Sequence, residues 1–161
     1  MTSGGYSHAP ADYDCPFCAV VSGDDNPPWT LQGDVVHRDG ATTAWINVRW
    51  WVNNPGGAIV VPNLHVENMY TLDSELAGRV HETARRVALA MRAAFACQGI
   101  STRQHNEPGA HQEVWHYHLH VFPRNAGDGL YGSEARLTSP EERQPYAEAL
   151  RAALTASACE A

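Results

Sequence analysis

The sequence has no long apolar run and no excess of basic residues, and each absence excludes a class of function. No stretch of its 161 residues approaches the roughly 20 consecutive apolar residues that a membrane-spanning helix requires. The N-terminus lacks the basic and then apolar pattern of a secretory signal, so we expect a cytoplasmic protein with no membrane partner. The formal net charge of −7 argues against a nucleic-acid partner, because nucleic-acid-binding surfaces are usually basic. An acidic protein can still hold a small anionic substrate with backbone N–H groups and histidines.

Cysteine is also sparse, and the composition is that of an ordinary globular protein. Of the four cysteines only Cys15 and Cys18 lie close together, so no disulfide framework is expected. The length and the apolar content of 43% suit one domain with its own core. We therefore predict a single domain over residues 13–161. Residues 1–12, which are rich in Gly, Ser, Ala and Pro without apolar periodicity, are predicted to be a disordered tail.

The apolar patterns predict an α+β fold with a mostly antiparallel sheet and helices packed on it. A continuous apolar run over residues 58–62 is typical of a central strand, and residues 73–98 carry a single apolar stripe along one long helix. A capping box with Pro140 in its first turn predicts a C-terminal helix over residues 140–156. Further strands are expected over residues 29–37, 42–48, 100–106 and 113–122, and a Gly-rich mobile loop over residues 125–137.

Three histidines, His116, His118 and His120, alternate with apolar residues. In a strand they would share one face, with neighbours roughly 6–7 Å apart, whereas a helix would spread them around its axis. Pro123 ends the run within a few residues, which favours the strand. Two kinds of site remain open: a metal site, and nucleophilic catalysis in which the middle histidine attacks an electrophile while its neighbours orient it. A purely structural cluster is disfavoured, because each imidazole would need its own partner.

With the residues around it, this stretch resembles the motif of the histidine triad (HIT) superfamily of nucleotide hydrolases and transferases. The shared features are His116-x-His118-x-His120, the following Pro123-Arg124, the preceding stretch Asn106 to Trp115, and Gln112 four residues before the first histidine. The resemblance extends from about residue 14 to residue 124. It implies the HIT-like fold, a nucleotide substrate and, as for other family members, a homodimer.

The resemblance also implies chemistry that requires no cofactor. His118 would attack the α-phosphorus of a nucleotide, and water would then hydrolyse the covalent nucleotidyl-imidazole. We expect the second ring nitrogen of His118 to bond a backbone carbonyl near His116. His120 would donate to the phosphate or to the leaving group. His116 is the ambiguous member, either orienting its neighbour or binding zinc.

Three further residues are assigned to substrate binding by the same resemblance. Gln112 would hold a phosphoryl oxygen, and Asn47 falls where the family has a residue that bonds ribose hydroxyls. A hydrogen bond from Asn47 to its own backbone is an equal alternative. Asn106, together with His105, straddles the place of the family's Asn. Glu113 stands where a Ser or Thr follows the Gln in the branch that cleaves phosphoramidates, and we expect it to face solvent.

Cys15 and Cys18 form a Cys-x-x-Cys pair, which is compatible with half of a structural zinc site, a redox pair or a packed turn. No βαβ pattern surrounds the pair, so a redox role is the weakest reading. The resemblance favours zinc, because several histidine triad proteins carry such a pair here, although Gly57 occupies the place of one family ligand. The two missing ligands would be two of the four histidines His65, His105, His111 and His116. A metal-free pair remains open, and His65 is predicted to have a structural role, capping or bonding the backbone.

The sequence therefore predicts a nucleotide hydrolase that releases a nucleoside monophosphate from a phosphoramidate, a mixed anhydride or a dinucleoside polyphosphate. Two alternatives remain: a nucleotidyl transferase or phosphorylase, in which another acceptor replaces water, and a nucleotide-binding protein without catalysis.

Overall fold

The chain forms a five-stranded antiparallel sheet with helices on both faces, and the computed structural model describes residues 6–159. The strands are β1 (Val35–Arg38), β2 (Thr42–Ile46), β3 (Arg49–Trp51), β4 (Ala58–Pro62), β5 (Gly99–Arg103), β6 (Leu119–Arg124) and β7 (Ala135–Leu137). The helices are α1 (Pro16–Ser22), α2 (Ser74–Phe95) and α3 (Pro140–Cys159). The strand order of the main sheet is β1-β2-β4-β6-β5, and β3 pairs with β7 in a second sheet. The predicted fold class, with one long and one C-terminal helix, is confirmed.

The central strands present different side chains to the two faces of the sheet. The main core lies against α2 and α3, and its strand residues are Ala44, Ile46, Ala58, Val60, Leu119 and Val121. A smaller cluster on the opposite face consists of Val20 from α1 with Trp45, Ile59 and Val61. Because successive strand residues point to opposite faces, the position of Leu119 and Val121 in the main core places His118 and His120 on the α1 face.

The two long helices follow their predicted patterns. Asp73 caps α2 by accepting a hydrogen bond from the backbone N–H of Leu76 at 2.9 Å. The buried residues of this helix are Val80, Thr83, Ala84, Val87, Ala90 and Met91, which include most of the predicted stripe. Within residues 6–159 no helix combines the length and apolar character needed to cross a membrane.

Helix α1 was not predicted, because its seven residues are too few for a periodic pattern. Its start is nevertheless readable: the Sγ of Cys15 accepts a hydrogen bond from the backbone N–H of Cys18, and Pro16 occupies the first turn. Gly23 ends the helix in the left-handed conformation with φ of 98°. The Cys-x-x-Cys pair therefore forms the N-terminal turn of a helix that covers the sheet.

Two strand predictions and one loop prediction are wrong in their extent. The strand predicted over residues 29–37 begins only at Val35, because a 3-10 turn over Gln32–Asp34 is fixed by tertiary hydrogen bonds of Asp34. The strand predicted over 113–122 begins at Leu119, since the backbone N–H of Tyr117 bonds the carbonyl of Val66 instead of a strand neighbour. The loop predicted over 125–137 ends in β7, which pairs with β3. Each difference results from a long-range contact.

The predicted tail is ordered in the part that the structure describes. Residues 1–5 lie outside the described residues. Glu67 accepts hydrogen bonds from the Oγ of Ser7 and from the backbone N–H of His8, both at 2.6 Å. The ring of Tyr6 packs on that of Tyr70 with centroids 4.9 Å apart. Residues 6–8 therefore pack on the domain and do not form a disordered segment.

A buried ion pair ties α3 to the segment before β1. The guanidinium of Arg143 donates from Nε and Nη2 to the carboxylate of Asp34 at 2.8 and 3.0 Å. Its remaining donors reach the carbonyls of Thr138 and Trp29. Both charged side chains are almost fully buried. Each guanidinium nitrogen and each carboxylate oxygen of the pair takes part in a hydrogen bond. Removing one partner would leave an uncompensated charge in the core.

We expect Arg143→Met to lower the free energy of unfolding by about 3–5 kcal/mol, because Asp34 would remain charged and buried. The matched control is Arg136→Met, which removes an exposed arginine that bonds Glu142 at 2.6 Å. Solvent screens that pair, so removing it should lower the free energy of unfolding much less than Arg143→Met does. Urea unfolding of the two variants measures both changes, and equal losses would contradict the assignment of the buried pair.

A second carboxylate, Asp128, organises the loop after β6. It accepts hydrogen bonds from Arg124 Nε and Nη2 at 2.7 and 2.8 Å and from Asn54 Nδ2 at 2.7 Å. The backbone N–H groups of Asn125 and Leu130 add two more. The hydrogen bonds from Arg124, followed by those from the backbone and Asn54, hold the pKa of Asp128 well below its usual range.

Since the pKa of Asp128 is lower in the folded than in the unfolded chain, its carboxylate stabilises the fold above the ordinary aspartate pKa of about 3.9. That stability is lost as the pH falls from there toward the folded value. We expect Asp128→Asn to destabilise the protein at pH 7 and the difference from wild type to narrow below about pH 4. Urea unfolding across this range tests the expectation, with the exposed Asp24→Asn as the control that should follow wild type.

Candidate active site

A cavity of about 540 Å³ opens on the α1 face of the sheet. Its lining includes apolar side chains, among them Phe17, Trp45 and Ile59, and polar ones, among them His118 and His120. The other lining residues are Pro16, Asn26, Trp29, Thr30, Asn47, Val48, Arg49, Trp51, Arg103, His105, His111, Glu113, Val114 and Ala135. This volume lies within the range of small-molecule sites, and the mixture of an apolar wall with a few polar groups is typical of them.

His118 is fixed by one hydrogen bond to the backbone. Its Nδ1 lies 2.7 Å from the carbonyl oxygen of His116, which confirms the expected partner. Because a carbonyl only accepts, Nδ1 carries the proton and Nε2 keeps its lone pair. Burial lowers the pKa of His118, so the ring is neutral at pH 7. The ring of Phe17 packs edge-on against it at 5.3 Å. A buried, oriented and neutral imidazole is the form that can act as a nucleophile.

His120 lies beside it in the cavity wall. The two ring centroids are 5.1 Å apart, and the ring of His120 stacks on Phe122 with centroids 5.5 Å apart. Its Nδ1 is buried and has no hydrogen-bond partner among the described residues. Burial, reinforced by His118 and Arg103, lowers the pKa of His120 well below its usual value. The second histidine is therefore neutral and keeps unused hydrogen-bonding capacity.

His116 does not line the cavity, which corrects the expectation that all three imidazoles share one reactive surface. Its side chain is fully buried and turns toward Cys15 and Cys18. The Nε2 donates to the carbonyl of Pro62 at 2.9 Å, which leaves the lone pair of Nδ1 facing the two sulfurs. His116 acts on the cavity only through its own carbonyl, which holds His118. A direct catalytic role for its imidazole is not supported by this position.

His116 belongs to a cluster with Cys15, Cys18 and His65, whose four donor atoms lie within 4.8 Å of one another. The Nδ1 of His116 is 3.3 Å from the Sγ of Cys15 and 3.6 Å from that of Cys18, and the Nδ1 of His65 is 3.3 Å from the Sγ of Cys18. Tetrahedral zinc holds sulfur and nitrogen ligands about 3.3–3.8 Å apart. The donor types and their spacing therefore fit a four-coordinate metal ion.

His65 completes this cluster; it was one of four candidate ligands, although a role in capping or bonding the backbone was favoured for it. The absence of a histidine at Gly57 does not leave the cluster incomplete, because His65 supplies the fourth donor. A side chain at Gly57 would be confined, since its Cβ would lie 3.3 Å from the ring of Phe122. Burial lowers the pKa of His116 to about 4, so the ring is neutral at pH 7 and able to bind a metal.

Two of the three predicted substrate-binding residues lie outside the cavity. Gln112 is buried, and its amide bonds the backbone of Glu107, Glu67 and Val114 at 2.6–3.0 Å. It therefore shapes the loop before the histidines, and a contact with a phosphoryl oxygen is not seen. Asn106 bonds the backbone N–H of Met69 at 2.8 Å and also the side chain of Gln104.

Of the two residues that straddle the family's Asn, His105 rather than Asn106 reaches the cavity. Its ring centroid is 6.5 Å from that of His120, and its Nδ1 bonds the carbonyl of Ala110. The third predicted residue, Asn47, lines the cavity while its Oδ1 accepts a hydrogen bond from the backbone N–H of Arg49. For Asn47, therefore, the bond to the local backbone is observed, and the contact with ribose hydroxyls stays a prediction.

Comparison with known proteins agrees with this geometry. A sequence profile of the HIT domain matches residues 34–127, which is more than half of the chain. The chain belongs to the HIT family. Membership of this family supports a function of the nucleotide-binding or hydrolase type. The resemblance to this family that the histidine motif indicated is confirmed.

Several HIT proteins match over almost their whole length. The protein called hit of Bacillus subtilis is 29% identical over 147 residues, which is 89% of this chain and 96% of that protein. A zinc-bound histidine triad family protein of Mycobacterium smegmatis is 28% identical with a TM-score of 0.76, covering 92% of this chain and 98% of that chain. A HIT-like protein of Bartonella henselae, described as involved in cell-cycle regulation, is 27% identical with a TM-score of 0.71, covering 88% and 98%.

Several residues that line the cavity were not identified from the sequence. Phe17 lies on the unpredicted helix α1. Arg103 was hidden within a predicted strand, although alternation would have placed it on the same face as His105. Of the adjacent tryptophans, Trp50 is buried against Tyr146 with centroids 4.8 Å apart, so only Trp51 reaches the cavity.

Proposed function

We propose that this HIT protein is a hydrolase that cleaves a nucleotide at its α-phosphorus and releases a nucleoside monophosphate. The observation that carries the proposal is the hydrogen bond from His118 Nδ1 to the carbonyl of His116. It fixes the tautomer whose Nε2 can attack, in a ring that lines a cavity of about 540 Å³. The HIT family membership and the predicted triad support the same chemistry.

In the first step the lone pair of His118 Nε2 forms a bond to the α-phosphorus, and the bond from phosphorus to the leaving group breaks. The leaving group departs with the bonding electron pair. The imidazole ring now carries a positive charge, because Nδ1 keeps its proton. The carbonyl of His116, 2.7 Å from Nδ1, stabilises that charge through the same hydrogen bond. His120 can donate a hydrogen bond to a phosphoryl or leaving-group oxygen.

In the second step water attacks the phosphorus of the nucleotidyl-imidazole. The bond from phosphorus to Nε2 breaks, its electron pair returns to His118, and the attacking water loses one proton to solvent or to the leaving group of the first step. The products are a nucleoside monophosphate and the original neutral ring. Glu113 is not the acid of this reaction, because its side chain is 77% exposed and lies 3.6 Å from Arg49 at the rim.

The apolar wall of the cavity suits the nucleoside. Phe17, Trp45 and Ile59 provide aromatic and aliphatic surface beside the histidines, since Ile59 pairs with His120 in the sheet and Phe17 packs on His118. Asn47 lies next to this wall, where an amide can bond ribose hydroxyls. We infer that the base packs against these side chains and that the α-phosphate lies at His118. Transfer of the nucleotide to a small acceptor instead of water would use the same first step.

We also propose that Cys15, Cys18, His65 and His116 bind one structural zinc ion. The donor distances fit a tetrahedral ion, and a similar protein from Mycobacterium smegmatis is described as zinc-bound. The ion would join α1 to the segment after β4 and to the segment before β6. It would steady His116, whose carbonyl orients His118, and it would take no part in the chemical steps.

The first test measures release of nucleoside monophosphate from adenosine and guanosine phosphoramidates and dinucleoside polyphosphates. We expect His118→Ala to reduce turnover by at least about 10³-fold, because the substitution removes the attacking nitrogen. Thermal unfolding and nucleotide binding should stay close to wild type. The matched control, His81→Ala, removes an exposed histidine of α2 and should retain full activity. Turnover by His118→Ala at the wild-type rate would refute the mechanism. Binding without turnover by the wild type would favour the non-catalytic alternative.

The zinc proposal predicts one zinc ion per purified chain by elemental analysis. Cys18→Ser should lose the metal and unfold at a lower temperature, because metal binding contributes to folding. Cys97→Ala is the control: Cys97 is buried but outside the cluster, so this variant should keep zinc even if its stability falls. Zinc content below one tenth per chain in the wild type, purified without chelator, would exclude the proposed ion.

A further inference from the structure

Arg103 brings a positive charge into the wall of the cavity. It is the last residue of β5 and lies directly opposite His120 in the register of β5 and β6. Side chains of directly paired residues share a face, so its guanidinium lies on the same side of the sheet as His120. The motif that identifies the family does not include this position, and the mechanism above leaves Arg103 without a role.

Two aromatic rings hold the guanidinium in place. Its Cζ lies 4.8 Å from the ring centroid of Trp51 and 5.2 Å from that of Phe122. These two rings pack edge-on with centroids 5.2 Å apart, so they form a rigid corner. Cation–π contacts of this kind act through the face of the guanidinium and leave its N–H edges available for an acceptor. The charge is therefore positioned without being neutralised.

The side chain of Arg103 makes no hydrogen bond and no ion pair with any residue from 6 to 159. Its Nε is fully buried and lacks a partner among those residues. The other charged residues of the wall, Arg49 and Glu113, lie 3.6 Å apart and offset each other. Arg124, on the same face, is held by Asp128. The net positive charge of the cavity therefore comes from Arg103, and a guanidinium that lines a cavity without a protein acceptor is suited to a ligand acceptor.

The strand order places this charge at one end of the site. The apolar wall comes from β2 and β4 through Trp45 and Ile59, the reactive His118 directly precedes β6, and Arg103 lies on the outer strand β5. A nucleotide with its base on the apolar side and its α-phosphorus at His118 would extend its leaving group toward β5. The leaving group would therefore lie beside Arg103.

We propose that Arg103 binds an anionic, phosphate-bearing leaving group and that this protein prefers phosphoanhydrides to phosphoramidates. The inference rests on the proposed hydrolase function and names its substrate class. A guanidinium pairs with phosphate oxygens through two parallel N–H bonds, which suits a phosphate or polyphosphate chain. The amine released from a phosphoramidate is neutral or cationic and gains nothing from this charge. Arg103 is thus a residue that determines specificity for the leaving group.

The test compares two substrates that share the nucleoside and the α-phosphate: diadenosine triphosphate and adenosine 5′-phosphoramidate. For the wild type we expect a higher kcat/KM on diadenosine triphosphate. Arg103→Met, which keeps the length of the side chain over the rings, should lower kcat/KM on that substrate by about 10- to 100-fold and change the phosphoramidate rate by less than about 3-fold. Arg103→Lys keeps the charge without the planar fork, so its kcat/KM on diadenosine triphosphate should lie between those of wild type and Arg103→Met. Arg85→Gln, an exposed residue of α2, should match wild type.

A binding measurement separates this inference from the proposed hydrolysis. The non-cleavable α,β-methylene analogue of ATP should bind wild type at least about 10-fold more tightly than AMP, and Arg103→Met should remove that difference. This outcome would support an anion-binding Arg103 even if no substrate were turned over. The inference would be overturned if Arg103→Met lost equal factors of kcat/KM on diadenosine triphosphate and on the phosphoramidate, or if the wild type preferred the phosphoramidate. It would also be overturned if Arg103→Met left the ratio of the binding constants for the ATP analogue and AMP unchanged.

Discussion

The hydrogen bond between His118 Nδ1 and the carbonyl of His116 is the contact on which the site depends. It selects the tautomer of His118 and fixes the plane of its ring. The residue that supplies the carbonyl is itself held by its side chain, through Pro62 and the cysteine cluster. One residue therefore links the fold of α1 and the following segments to the position of the reactive nitrogen. Loosening the cluster would affect the cavity through the backbone of His116, without any change in the cavity wall.

The sheet separates structural and chemical demands by alternation. In β6, Leu119 and Val121 fill the core against α2 and α3, while His120 and Phe122 face the opposite side. The same alternation in β2 sends Ala44 to the core and Trp45 to the cavity side. A substrate can therefore lie across several strands on one face while the other face remains a continuous apolar core. This division explains how a chain of ordinary apolar content builds both a core and a polar site.

Local patterns predicted the parts of this protein that repeat with a clear period. The stripe of α2 and the alternation around His118 and His120 could be predicted because residues of the same kind recur on one face at a regular spacing. The segment before Leu119 was not, because its backbone bonds Val66, a contact between distant parts of the chain. His65 shows the same limit, since only the folded chain shows that it meets Cys18. Gln112 matched the family motif, yet its amide bonds the backbone instead of facing the cavity.

Burial also explains why the site would need an arginine as well as histidines. Desolvation lowers the pKa of His118 and of His120, so both rings are neutral at pH 7 and neither supplies a positive charge. Burial lowers the pKa of Arg103 too, but from a value so high that the guanidinium stays charged. The formal charge of −7 therefore says little about which ligand the cavity attracts. What a ligand meets is the local field, and in this cavity the neutral imidazoles of His118 and His120 share the wall with a guanidinium that has no carboxylate partner among the described residues.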